Sequence, residues 1–164
     1  LVGIRALIDS LQPATGPTLW SAGDLDLSRT KAVGMDLARQ LGLTRDEVVT
    51  WPKVRPGVTL RENDLVTPVK LSNARAIFHY AATGNRPLLG GRTVVIYDSF
   101  FGLNIARLAP FFADSTFVHV ADLINHPELA ASLGHFDRVI VERIERGIYL
   151  TPFEQILAGF VGSK

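Results

Sequence analysis

The stretch Thr93-Val-Val-Ile-Tyr-Asp-Ser-Phe-Phe-Gly102 decides the fold that this sequence predicts. Its first five residues, Thr93 to Tyr97, are β-branched or aromatic, a run typical of a short strand buried on both faces. Gly90-Gly91 breaks the chain before this run, and Asp98-Ser99 ends it ahead of a helical pattern. Because α/β proteins bind ligands at the carboxyl ends of such strands, Ser99 is a candidate site residue, with the first helix amides directed at the ligand. The alternative is that Asp98 or Ser99 only caps that helix.

Two further apolar runs follow, each next to a short helical pattern. Thr116–Ala121 precedes a helix that starts at Asn125 and ends near Gly134, and Asp137–Glu142 precedes a C-terminal helix over Thr151–Val161. Strands that alternate with short helices predict a mainly parallel sheet with helices on both faces. We therefore expect a flavodoxin-like, three-layer α/β/α domain in which Thr93–Tyr97, Thr116–Ala121 and Arg138–Val141 are parallel strands of one sheet.

The first half of the chain is less regular. Apolar spacing and turn residues predict a helix over Val2–Leu11, a short strand over Thr18–Ser21, a helix from about Arg29 to Leu41, a short helix after the capping box Thr44–Glu47, at most one edge strand within Val58–Lys70, and a helix over Ala74–Ala82.

Composition narrows the class of protein. A chain of 164 residues with 47% apolar residues predicts one domain over residues 1–164, and the absence of an initial Met suggests a fragment of a longer protein. A net charge of +1 without a basic run argues against a nucleic-acid partner, and no apolar stretch is long enough for a membrane span. Having no Cys, the chain has neither disulfides nor thiolate chemistry, which suits an exported protein. No cofactor is expected.

Three stretches together resemble the SGNH-hydrolase-like domain of the alginate O-acetyltransferases. They are Asp24-Leu-Asp-Leu-Ser28, Tyr97-Asp-Ser-Phe-Phe101 and Val139-Ile-Val-Glu-Arg143, and the resemblance covers most of residues 1–150. The family motifs at these places are Asp-x-His-Trp-Thr, Gly-Asp-Ser-Phe with the Ser nucleophile, and Val-x-Glu-Arg. The resemblance implies an SGNH-like fold in which Ser99 is the nucleophile and Asp24 and Asp26 lie beside it as catalytic residues.

Two positions depart from the family pattern. Asp26 stands where the family has its His general base, and Tyr97 stands where it has Gly. An unperturbed aspartate is a poor base for a hydroxyl, unless burial or the neighbouring Asp24 raises its pKa. The resemblance therefore implies an O-acyltransferase or esterase with impaired catalysis, acting on a cell-envelope polysaccharide or a small acyl ester in an extracytoplasmic location.

Two alternatives remain open. The first is a non-catalytic domain of the same fold that binds a glycan or a protein. The second is a metal-dependent enzyme in which Asp24, Asp26 and Asp98 hold Mg²⁺. Of the other polar groups, Glu142 and Arg143 are predicted to form ion pairs at the sheet edge, with each other or with neighbours, rather than to contact substrate. None of the four histidines (His79, His119, His126 and His135) matches a family position.

Overall fold

The computed structural model describes residues 2–21, 24, 27–33, 46–52, 55–63, 77–142 and 153–161. The helices are α1 (Val2–Leu11), α2 (Ile105–Leu108, flanked by 3₁₀ turns at Gly102–Asn104 and Ala109–Phe111), α3 (Val120–Asn125), α4 (Glu128–Ser132) and α5 (Phe153–Val161). The strands are β1 (Leu27–Val33), β2 (Asp46–Pro52), β3 (Val58–Asn63), β4 (Phe78–Gly84), β5 (Leu89–Tyr97), β6 (Phe112–His119) and β7 (Arg138–Val141).

Five strands form a mixed sheet in the order β3-β4-β6-β5-β7. β5 lies between β6 and β7 and is parallel to both. β4 is antiparallel to β6, and β3 is antiparallel to β4. The three predicted parallel strands therefore share one sheet, as expected. The expectation of a mainly parallel sheet is only partly right, since β3 and β4 add an antiparallel half.

Helices pack on both faces of this sheet, because successive side chains of a strand point to opposite faces. On one face Val95, Tyr97 and Phe117 form a buried cluster with residues of α1 and of the segment 102–111. On the other face Ile96 and Val118 form a second cluster with residues of α3, α4 and α5. The α/β class predicted from the sequence is confirmed.

The elements that the sequence predicts with the wrong type lie mostly before β5. The helix predicted from Arg29 begins instead as β1, and the turn of helix after Thr44 begins instead as β2; β1 and β2 pair with each other as an antiparallel two-stranded sheet. The helix over Ala74–Ala82 is replaced by β4, whose neighbours β3 and β6 supply backbone partners on both sides. Long-range strand pairing thus overrides a local helical pattern, as is common for weak propensities.

Other expectations about the elements hold. The helices over Val2–Leu11 and near the C-terminus are present, and β3 is an edge strand within the predicted segment. Residues 18–21 form no strand. Residues 34–45, 64–76 and 143–152, on which parts of these predictions fall, lie outside the described residues.

Substitution of Ser115 measures the cost in stability of a buried hydroxyl that makes no hydrogen bond. The side chain is fully buried in β6, and its Oγ has no hydrogen-bond partner among the described residues. Ser115→Ala should therefore raise the free energy of unfolding by about 1 kcal/mol, since it removes an unsatisfied polar group. Chemical denaturation measures this change.

The matched control is Thr93→Val in the neighbouring strand. Thr93 pairs with Ser115 across the sheet, but its Oγ1 accepts a hydrogen bond of 2.8 Å from Arg138 Nη1. Thr93→Val should lower the free energy of unfolding by about 1–3 kcal/mol, because it leaves the arginine without this acceptor. Equal effects of the two substitutions would contradict the claim that Ser115 Oγ lacks a hydrogen bond while Thr93 Oγ1 accepts one.

Candidate functional site

Ser99 lies on a tight turn at the carboxyl end of the central strand. Asp98 is buried and fixes this turn: the Phe101 amide donates to the Asp98 carbonyl at 3.0 Å, and the Phe100 amide donates to Asp98 Oδ1 at 2.9 Å. Ser99 itself is exposed, between these anchored positions. The structure therefore places Ser99 at the predicted end of the strand, and Asp98 holds the backbone of the turn.

The amides that follow Ser99 are occupied. Those of Phe100 and Phe101 both donate to Asp98, and the Asn104 amide donates to the Phe101 carbonyl at 2.7 Å. The first helical residue after Ser99 is Gly102, in a 3₁₀ turn. The amides of Phe100 and Phe101 are therefore not available to a ligand, because the Asp98 side chain and carbonyl accept their hydrogen bonds.

His119 ends β6 directly opposite Tyr97, and the two rings meet edge to face with their centres 5.4 Å apart. The Ala121 amide donates to His119 Nδ1 at 3.1 Å, so His119 caps α3. Since Nδ1 accepts, the neutral ring has its proton on Nε2. His119 is thus a buried, structurally engaged histidine, as its position in an apolar strand predicts, and its Nε2 cannot accept a proton from Ser99 in this tautomer.

A cleft of about 400 Å³ opens next to the Ser99 turn. Its walls come from three parts of the chain: Ile4 and Leu7 of α1, Phe101 and Asn104 after Ser99, and Ile140, Val141 and Glu142 at the end of β7. The Glu142 amide donates to the Ile96 carbonyl at 2.8 Å, which fixes Glu142 beside the end of β5. The cleft is mainly apolar with two polar side chains, and its volume falls in the range of small-molecule sites.

Asp24 does not line this cleft and is instead bound by arginines elsewhere in the fold. Its Oδ1 accepts from Arg55 Nε at 2.7 Å and from Arg86 Nη2 at 2.9 Å, and its Oδ2 accepts from the amide and the hydroxyl of Ser21. Four donors fill the four lone-pair positions of a carboxylate, so none remains to orient a histidine. Asp24 and Arg55 are both almost fully buried, at 5% and 3% exposure.

Arg55 attaches Asp24 to the amino ends of the parallel strands. Its Nη1 donates to the carbonyls of Pro87 at 2.7 Å and Pro110 at 3.3 Å, which lie just before β5 and β6, and its Nη2 donates to the Leu19 carbonyl. The guanidinium also stacks on Phe111, 4.5 Å from the ring centre. Local sequence gave no signal of this role, because every partner of Arg55 is distant in the chain.

Asp24 therefore lies at the amino ends of the parallel strands (the amino edge), and Ser99 lies at their carboxyl ends (the carboxyl edge). At about 3.3 Å per residue, β5 spans roughly 26 Å between the Pro87 end and the Ser99 end. The prediction that Asp24 lies beside Ser99 is wrong, since the buried charge of Arg55 holds Asp24 at the amino edge. The Mg²⁺ site of Asp24, Asp26 and Asp98 is wrong for the same reason, because Asp98 adjoins Ser99.

The remaining candidate residues are Asp26, Arg143 and the histidines other than His119. Asp26 and Arg143 lie outside the described residues, so their predicted roles stay predictions. Within the ranges that the structure describes, no group of three histidine, aspartate or glutamate side chains is arranged to hold a metal ion. His79 Nε2 lies 3.2 Å from Asp114 Oδ1, and His126 Nδ1 lies 3.5 Å from Glu128 Oε1.

Comparison of the chain with protein-family models, with curated proteins and with solved structures found no match. Across the described part of the chain, no helix has the length and apolar character needed to cross a membrane.

Asp24 makes a pH-dependent contribution to stability. Burial raises the pKa of its carboxyl, but hydrogen bonds from Arg55 and Ser21 and the charge of Arg55 outweigh burial, so that the pKa lies below 3.8. A lowered native pKa stabilises the fold above the unfolded-state value, and this contribution is lost as the pH falls through the native value. Asp24→Asn should lower the free energy of unfolding by about 3–5 kcal/mol at neutral pH, since it leaves Arg55 buried without its carboxylate.

Urea denaturation at neutral pH and at successively lower pH below 4 measures this effect. The difference between the parent and Asp24→Asn should shrink as the Asp24 carboxyl of the parent is protonated. The matched control is Asp9→Asn, which removes an exposed carboxylate 3.5 Å from Arg5 and should change stability by less than about 1 kcal/mol. An equal loss in both variants, or a pH-independent loss for Asp24→Asn, would contradict the role given to Asp24.

Proposed function

We propose that this chain is an SGNH-hydrolase-like domain that handles acyl esters of a cell-envelope polysaccharide, with Ser99 as a slowly reacting nucleophile. The observation that supports this most directly is the exposed Ser99 hydroxyl on an anchored turn at the carboxyl end of the central strand. This is the edge at which open α/β sheets bind ligands. The motif resemblance around Ser99 and Glu142 supports the same assignment.

The proposed reaction is acyl transfer through the serine. Ser99 Oγ attacks the ester carbonyl, the bond to the alcohol breaks, and the serine proton leaves with that alcohol. Water or a sugar hydroxyl then takes the acyl group and returns a proton to Ser99 Oγ. No metal or cofactor enters this sequence of steps.

Slow turnover follows from the surroundings of Ser99. Among the described residues no hydrogen bond involves the Ser99 hydroxyl, and the nearby His119 accepts through Nδ1 for its cap. General-base assistance is typically worth about 10²–10⁴-fold in rate. A hydroxyl without such a base reacts slowly.

A second candidate function is non-catalytic binding of a glycan or a protein at the same edge. The occupied amides of Phe100 and Phe101 favour it, because oxyanion stabilisation needs donors directed at the developing charge. In either case we propose an extracytoplasmic location, which the resemblance to cell-envelope enzymes and the absence of Cys support.

Hydrolysis of p-nitrophenyl acetate tests the proposed function. The parent should show weak turnover above the buffer rate, and Ser99→Ala should abolish the excess because it removes the nucleophile. The matched control is Ser132→Ala, an exposed serine whose Oγ donates to the Leu129 carbonyl at 2.7 Å, and it should leave the rate unchanged. Circular dichroism checks that each protein is folded. Activity that survives Ser99→Ala would contradict the assignment, and a parent rate equal to buffer would favour the binding function.

A further inference from the structure

We propose that the cleft beside Ser99 holds the apolar chain of a neutral acyl ester of medium length, rather than an acetyl group. This inference rests on the proposed function and names the acyl group that the site takes. It arises from the volume of the cleft, the chemistry of its walls and its place next to the serine.

The volume of the cleft exceeds the needs of an acetyl group. A water molecule occupies about 30 Å³ in the liquid, so about 400 Å³ has room for roughly 13 non-hydrogen atoms. An acetyl group has only three such atoms, whereas an octanoyl group has nine. The walls of Ile4, Leu7, Phe101, Ile140 and Val141 are apolar. Burial of each additional methylene against them should raise affinity roughly fourfold.

The polar groups of the cleft fit a neutral ester. Asn104 Oδ1 accepts from Arg107 Nη1 at 2.7 Å, and this contact orients the amide so that its NH₂ group is the donor offered to a ligand. No hydrogen bond among the described residues uses Asn104 Nδ2. This donor matches an ester carbonyl. The apolar walls of the cleft disfavour the anionic carboxylate of a free fatty acid, because moving a charge next to them out of water costs free energy.

The cleft is continuous with the Ser99 turn. Phe101 is a wall of the cleft and also closes the turn through its bond to the Asp98 carbonyl. Ser99 and Phe101 are two positions apart in the chain, so their Cα atoms lie within about 7.6 Å of each other. Phe100, next to Ser99, is 62% exposed and extends the apolar surface at this edge. An acyl group on Ser99 therefore lies within reach of the cleft.

The binding experiment uses Ser99→Ala protein, so that no chemistry intervenes, and isothermal titration with octanamide and butanamide as uncharged probes. Octanamide should bind at least tenfold more tightly than butanamide, and more tightly than octanoate. Leu7→Trp, added to this protein, should reduce octanamide affinity at least tenfold because the larger ring fills the cleft. The matched control is Ala6→Trp, an exposed neighbour on the same helix, which should leave affinity unchanged.

A second variant covers the case in which Leu7→Trp does not fold. Asn104→Asp keeps the acceptor for Arg107 and removes the amide donor, so it should weaken octanamide binding at least fivefold while the protein remains folded. Saturable binding that follows chain length and responds to these variants supports the cleft. No binding, equal affinity for the two amides, or equal effects of Ala6→Trp and Leu7→Trp would overturn it.

The hydrolysis experiment separates this inference from the proposed function. With intact Ser99, p-nitrophenyl octanoate should give a kcat/KM at least tenfold above that of the acetate. Chain-length-dependent amide binding without any Ser99-dependent hydrolysis supports the cleft and overturns the acyl-transfer function. Ser99-dependent hydrolysis with equal kcat/KM for both esters overturns the cleft and leaves the function standing.

Discussion

The parallel pairing of β5 with β6 and β7 is the interaction on which the rest of the structure depends. Every residue from Thr93 to Asp98 is buried, and the strand contributes to the clusters on both faces. Burial of each large aliphatic side chain stabilises the fold by about 1.5–3 kcal/mol. The same pairing brings the turn at Ser99, the end of β6 at His119 and the end of β7 at Glu142 to one edge.

The two edges differ in the groups that they carry. At the amino edge the buried Arg55 uses its donors on Asp24 and on three carbonyls, and this network joins segments that are far apart in sequence. Such a pair holds the fold because loss of one partner leaves a buried charge uncompensated. At the carboxyl edge a mainly apolar cleft has Phe101 as one wall, and Phe101 closes the turn that carries the exposed Ser99. A buried ion pair thus lies at one edge, and the surface that we propose for ligands lies at the other.

Local pattern predicts some of these features and misses others for physical reasons. β5, α1 and α4 follow from continuous apolar runs, helical spacing and turn residues, which act over a few neighbouring residues. The same patterns place Ser99 at the end of the strand. β1, β2 and β4 are missed because their backbone partners lie in other strands, whose pairing no local pattern reveals. Asp24 is wrongly predicted to lie beside Ser99, because its partner Arg55 is distant in the chain and the two residues meet only in the folded core.

Covalent labelling shows whether the carboxyl edge is an acyl site centred on Ser99. The parent protein is incubated with an alkyl fluorophosphonate, which forms a stable bond to a reactive serine, and the adduct is located by peptide mass spectrometry with and without excess octanamide. Ser99 should be labelled slowly but in preference to the other serines, and octanamide should slow this labelling further. Labelling spread over other serines, or labelling of Ser99 that octanamide leaves unchanged, would contradict an acyl site centred on Ser99.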